Sequence, residues 1–161
     1  MTPEQITQAL VELRHELESQ DNRITAEPIF MVQERVRTTG FDTSYTDNIV
    51  WLWQTNDYEE ITEQSDPKRF DELEDPWQDR GEAPEGYVRT GYVDRWLNLQ
   101  PFFTEKAADA YIAKNHHRHG PLRVYVDSAY RNEEWMLIRR LLGGELIAEL
   151  ERLNKDNEKV R

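Results

Sequence analysis

The 161-residue chain predicts an α+β fold: a small antiparallel sheet with two packed helices, plus N- and C-terminal amphipathic helices. Three observations carry that expectation. Segments at 28–38, 48–55, 87–100 and 122–128 combine β-branched and aromatic residues with stretches of period-two alternation. Two further runs, near 104–115 and 132–142, open on Thr104 and Asn132, residue types that cap helices. Apolar stripes at helical spacing stand near both ends, Ile6-Leu10-Leu13-Leu17 and Leu146-Ile147-Leu150-Leu153. The organisation expected is a helix within 1–27, a core domain over 28–142 with an acidic excursion at 56–86, and a helix within 143–161.

Taken in order, Thr2-Pro3-Glu4-Gln5 combines a hydroxyl cap, proline at the first helical position and a glutamine placed to close a capping box. The stripe that follows predicts an amphipathic helix that docks on the body or on another subunit. After Pro28, Ile29 to Val32 begin a strand whose alternation places Arg35 and Arg37 on one face. Those two arginines are either a phosphate clamp or solvated strand residues. Gly40 supplies a turn, and Ile49-Val50-Trp51-Leu52-Trp53 makes a second strand with both tryptophans on one face.

From Gln54 to Gly86 acids and prolines replace the apolar pattern, with Phe70, Leu73 and Trp77 as the strong anchors, and the stretch predicts an excursion rather than a core element. It serves either as a surface whose carboxylates imitate nucleic-acid phosphates or as a solvated loop that raises solubility. The strand pattern resumes at Tyr87, with a bulge at Gly91, and ends at Pro101. Paired Gly143-Gly144, which cost about 2 kcal/mol in a helix interior, mark a break before the last stripe. Two such terminal stripes pair most simply with each other, within a chain or between chains.

Composition narrows the function. No cysteine is present, which removes disulfides, thiolate metal sites and thiol nucleophiles and fits a reducing cytoplasm. No apolar run reaches membrane-spanning length and the N-terminus is polar, so a soluble, intracellular protein without membrane partners is expected. The formal net charge of −12 argues against direct nucleic-acid binding over a broad face. Twelve acids against three bases lie between Asn56 and Gly86, a local balance of −9, which leaves only −3 for the rest and room for a local cationic site.

No nucleophile elbow, phosphate-binding glycine loop or dinucleotide fingerprint occurs, so no catalytic residue is assigned and no enzyme activity is expected. No cofactor and no metal site is expected either. His116, His117 and His119 place three imidazoles in four residues, but only His116 and His119 have helical ligand spacing, and a solvent-facing helix end is the simpler use. What remains suits an anionic, ring-containing small molecule: Arg35, Arg37, Arg123 and Arg131 for charge, Trp96, Phe102, Phe103, Tyr125 and Tyr130 for stacking, and Asn115 and Asn132 for base edges. Phe102 or Phe103 also suits the core. Arg131-Asn132 stands out, because a helix start offers free N–H groups to an anion and the neighbouring guanidinium strengthens the offer.

At IFMVQERVRTTGFD, TGYVDRW, PFFTEKAADAYIAKNHH and YVDSAYRNEEW, spanning Pro28 to Leu142, the sequence resembles a small-protein family widespread in bacteriophages. It is similar to the phage sponges of the Thoeris anti-defence type, which sequester nucleotide second messengers made by bacterial immune systems. The resemblance implies a small antiparallel sheet with helices, a homo-oligomer, and a ligand held uncleaved between subunits. It places ligand contacts at Phe102 or Phe103, Asn115 and Arg131, while the terminal helices and the acidic stretch have no counterpart in it. The function it implies is capture of a cyclic ADP-ribose isomer or cyclic oligonucleotide in the cytoplasm of the infected bacterial host. The alternative from a different class is an acidic protein-interaction inhibitor, a nucleic-acid mimic directed at a defence nuclease, and a hydrolase of the same nucleotides is a third.

Overall fold

A computed structural model describes residues 1–54 and 59–145. The element order is α1 (Pro3–Ser19), β1 (Pro28–Phe41), β2 (Ile49–Trp53), β3 (Glu59–Ile61), α2 (Pro67–Arg80), β4 (Tyr87–Phe102), α3 (Glu105–Asn115), a 3-10 turn (His116–Arg118), β5 (Leu122–Ser128) and α4 (Glu133–Leu142). The strands form one antiparallel five-stranded sheet in the order β3-β2-β4-β1-β5. The α+β class is therefore the one the patterning predicts. The expected C-terminal helix and its leucine stripe lie outside the described residues.

The chain divides into two compact units, one made of Met1–Glu34 with Leu97–Arg161, the other of Arg35–Trp96, and the long strands β1 and β4 contribute to both. In the first unit the antiparallel register of β1 on β5 runs from Pro28 opposite Ser128 to Glu34 opposite Leu122. Phe30, Val32 and Ala108 are fully buried, and Leu99, Phe102, Tyr111, Ile112, Leu122, Val124 and Val126 pack around them. The alternation buries Phe30 and Val32 and leaves Ile29 and Met31 partly exposed. α1 starts at the capping box of Thr2 and Gln5, α3 at the Thr104 hydroxyl and α4 at the Asn132 carboxamide.

In the second unit, β2 pairs with β3 and with β4, and Trp51, Ile61 and Leu73 are buried with Phe70, Trp77 and Tyr87 against them. This corrects the reading of the acidic stretch as an excursion outside the core. Phe70, Leu73 and Trp77 recur at helical spacing on α2, which Asp66 caps, Pro67 begins and Gly81 ends in the left-handed conformation at φ 70°. The acids occupy its remaining faces. Two smaller corrections concern β-strand ends. Pro101 does not stop β4, which continues through Phe102, because an exposed residue near a strand end forgoes its N–H at little cost. Gly40 takes φ 94° inside the last residues of β1 rather than in a separate turn. Among the described residues no helix is long and apolar enough to cross a membrane.

Candidate functional site

The residues nominated as ligand contacts fall into both units. Arg37 lies in the second, where β1 places it opposite Asp94: Nε donates to Oδ1 at 2.9 Å and Nη2 to Oδ2 at 3.2 Å. Nη1 reaches Glu60 at 3.3 Å, and the guanidinium lies 3.8 Å from the Tyr92 ring centroid. Hydrogen bonding to Arg37 holds the Asp94 carboxyl below its ordinary range, against the opposing effect of burial. The fork that a phosphate would need is thus already occupied by carboxylates.

The other five belong to the first unit. Phe102 packs in the core, its ring tilted against Tyr111 at 5.5 Å. Phe103 is stacked on Trp135 of α4, centroids 4.2 Å apart and planes 17° apart. Its carbonyl accepts from Gln20 Nε2 at 3.2 Å and from Arg139 Nη1 at 3.3 Å, so the chain between β4 and α3 is tied to α1 and α4 together. Asn115 donates from Nδ2 to the Tyr111 carbonyl at 2.9 Å, closing the end of α3, and Asn132 Oδ1 accepts from Trp135 N at 3.0 Å at the start of α4. Each of these four side chains therefore has a structural partner.

Arg131 differs. It is exposed in the turn between β5 and α4 and has no hydrogen bond, ion pair or ring contact among the described residues. Tyr130 beside it is 74% exposed. The turn itself is held by the Asn132 amide donating to the Ala129 carbonyl and by Ser128, whose hydroxyl accepts from the Tyr130 amide. Among the described residues Arg131 and Tyr130 are a cation and a ring without partners on a braced loop, at the start of the ten-residue helix α4.

Two polar residues escaped the sequence reading. Arg139 is 8% exposed, donating from Nη2 to Asn22 Oδ1 at 2.9 Å and lying 3.5 Å from Glu27; burial pulls its guanidinium below the ordinary arginine range and Glu27 opposes that. Glu74, also 8% exposed, accepts from Trp51 Nε1 at 3.0 Å and from Arg89 at 2.8 and 3.2 Å. The spacing of Arg139 does mark it, since it stands four residues after Trp135 and three before Leu142 on the inward face of α4; its charge is what hid it from a reading of apolar residues. Glu74 is adjacent to the anchor Leu73, a signal that was present but submerged among its acidic neighbours.

A cavity of about 340 Å³ in the second unit is lined by Asp47, Glu63, Asp71, Glu74 and Asp75 with Phe70 and Tyr92. Its charge disfavours a phosphorylated ligand. Of the three imidazoles, His116 Nδ1 lies 2.9 Å from the Ala113 carbonyl and His119 Nδ1 lies 3.1 Å from Glu34, so the two are held by different partners. No family model, curated protein or solved structure matches the chain.

Proposed function

We propose that the protein is a non-enzymatic binder that captures a nucleotide immune signal, a cyclic ADP-ribose isomer or a cyclic oligonucleotide, and withholds it uncleaved in the cytoplasm of a phage-infected bacterium. The observation that supports this is the state of Arg131: an exposed guanidinium with no partner among the described residues, beside the exposed Tyr130 ring, on a loop whose backbone is already braced. A cation with no partner among the described residues is available to a phosphate, and a neighbouring ring is available to a base. Phe102, Phe103, Asn115 and Asn132 then act by shaping the elements that carry Arg131, not by touching the ligand. Calorimetric titration of signal nucleotides tests this. Arg131→Ala should weaken binding by about 1.5–3 kcal/mol with an unchanged thermal midpoint. Heating the complex should release intact nucleotide; a cleaved product would make the protein a hydrolase instead.

A second reading is favoured by one feature of α2. Asp71, Asp75 and Asp79 stand at four-residue spacing and are exposed, with Glu72 beside them, so the acids form a row on a folded helix. A row of fixed carboxylates suits a basic groove on a defence nuclease. Asp71→Asn, Asp75→Asn and Asp79→Asn together would abolish that interaction and leave nucleotide binding intact.

A further inference from the structure

β5 is an edge strand: in the sheet order it is hydrogen-bonded to β1 alone, along a register that runs the whole of Leu122–Ser128. Among the described residues its outer row of backbone N–H and C=O groups therefore has no strand against it. The opposite edge of the sheet, β3, is three residues long and carries Glu59 and Glu60, the brevity and like charge that discourage pairing. β5 has seven residues, contains no proline and no glycine, and alternates Val124 and Val126 with Arg123, Tyr125 and Asp127. Tyr125 is 46% exposed.

The sequence of this edge is complementary to itself. An antiparallel strand pair built on a two-fold axis at Tyr125 places each residue opposite one equally distant on the other side of the axis. Arg123 then faces Asp127 of the second copy, and Asp127 faces Arg123, while Val124 meets Val126 and the two Tyr125 rings meet each other. Opposite charges directly across an antiparallel pair, aromatic rings and β-branched side chains are the combinations that stabilise such pairing. Within its own chain Arg123 Nε donates to Gln33 Oε1 on the neighbouring strand at 2.9 Å, its guanidinium lies 5.6 Å from the Tyr125 ring, which keeps both on one face of the sheet, and Asp127 Oδ1 accepts from Ser128 N at 2.8 Å; the pairing across the edge adds to these contacts. Moving the two-fold to Val124 or Val126 would set Arg123 against Tyr125 or carry its partner past Ser128, so the charge pattern specifies one register.

We propose that a second copy of this chain pairs with β5 along its free edge, antiparallel about Tyr125, and extends the sheet across a homodimer. The assignment concerns a surface distinct from Arg131 and stands whether or not the nucleotide reading does.

The 161-residue chain lends itself to a direct test because it has no cysteine. Residues facing each other in an antiparallel pair have Cα atoms about 4.5–5.5 Å apart, within the range a disulfide spans. Tyr125→Cys should form a covalent dimer on mild oxidation, whereas Ile24→Cys, at a more exposed position of the same unit, should not. Sedimentation velocity supplies the second arm. Arg123→Asp and Asp127→Arg, each folded by circular dichroism, should each weaken self-association by about tenfold or more, because each sets like charges opposite one another twice. Mixed, the two variants present Asp against Arg at both positions and should recover wild-type association as a heterodimer. A wild type that stays monomeric at every concentration tested overturns the proposal. So does a dimer that neither charge variant weakens, or a Tyr125→Cys protein that cross-links no faster than Ile24→Cys.

Discussion

Arg37 and Asp94 form a two-pronged pair on neighbouring strands, Nε to Oδ1 at 2.9 Å and Nη2 to Oδ2 at 3.2 Å, with the Tyr92 ring 3.8 Å from the guanidinium. Both side chains are about a quarter exposed, so solvent screens the pair and its worth is about 1–2 kcal/mol. Arg37→Ala should lower stability in urea by that amount and leave nucleotide affinity unchanged. The pH dependence follows from the lowered Asp94 pKa. A carboxyl depressed in the folded state stabilises it fully above the unfolded aspartate pKa, near about 3.9, and loses that contribution as pH falls through the lower folded value. Arg37→Ala should therefore flatten the fall in stability over that acid window.

Glu74 and Trp51 make a second, less solvated relationship. The carboxylate accepts from the indole at 3.0 Å and from both prongs of Arg89, and it is 8% exposed. Arg89→Ala would leave that carboxylate beside a fully buried indole without its cation, at a cost of about 3 kcal/mol, because desolvation of the charge is then uncompensated. Exchanging Arg89 for Met and Glu74 for Gln together should recover much of the loss, because a neutral carboxamide oxygen still accepts from the Trp51 indole. Urea melts followed by tryptophan fluorescence read both variants.

Helix and strand periodicity made most of this fold legible. The strand after Pro28 and the helices capped by Thr104 and Asn132 appear where alternation and capping place them, although alternation alone does not say that Phe30 and Val32, rather than Ile29 and Met31, face the core. α2 was missed although its Asp66 cap, Pro67 start and Gly81 stop were all in view, since Pro76 interrupts the helical run and removes one backbone donor from it. Twelve acids around it resemble a solvated loop more than an amphipathic helix. The candidate site was less legible for a chemical reason. An asparagine at a helix end is equally suited to reading a base edge and to closing the helix, and Asn115 and Asn132 both do the latter. Arginine is ambiguous in the same way, so only the fold separates Arg37, bound to a carboxylate, from Arg131, which meets none among the described residues.

That separation makes opposite forecasts for adjacent residues. Asn132→Ala removes the acceptor for Trp135 N and should destabilise the protein by about 1 kcal/mol, the usual worth of an N-cap, while Asn132→Asp should restore it. Arg131→Ala should leave the same melting curve unmoved. Thermal denaturation of the three variants side by side checks both statements.

Gly91 offers the sharpest steric forecast. It is buried in β4, its conformation is open to any residue, and the sequence suggested a bulge there. The constraint is instead spatial: a Cβ added to it would run into Thr46 Cγ2 and stand 3.1 Å from the Phe41 carbonyl oxygen and 3.3 Å from Phe41 Cβ. Thr46 has little freedom to withdraw, since its hydroxyl donates to the Tyr92 carbonyl at 3.2 Å and accepts from Asn48 N at 3.1 Å. The Phe41 carbonyl is likewise held, accepting from the Thr90 hydroxyl at 2.9 Å. Gly91→Ala should therefore cost about 1–3 kcal/mol, as overpacking does, despite the higher strand propensity of alanine. Thr46→Ser removes the methyl in the way and should lessen that cost in the double variant, although it weakens the wild-type background slightly. Equal penalties for Gly91→Ala with threonine and with serine at position 46, read from urea denaturation as a double-mutant cycle, would place the obstruction at Phe41 rather than at Thr46.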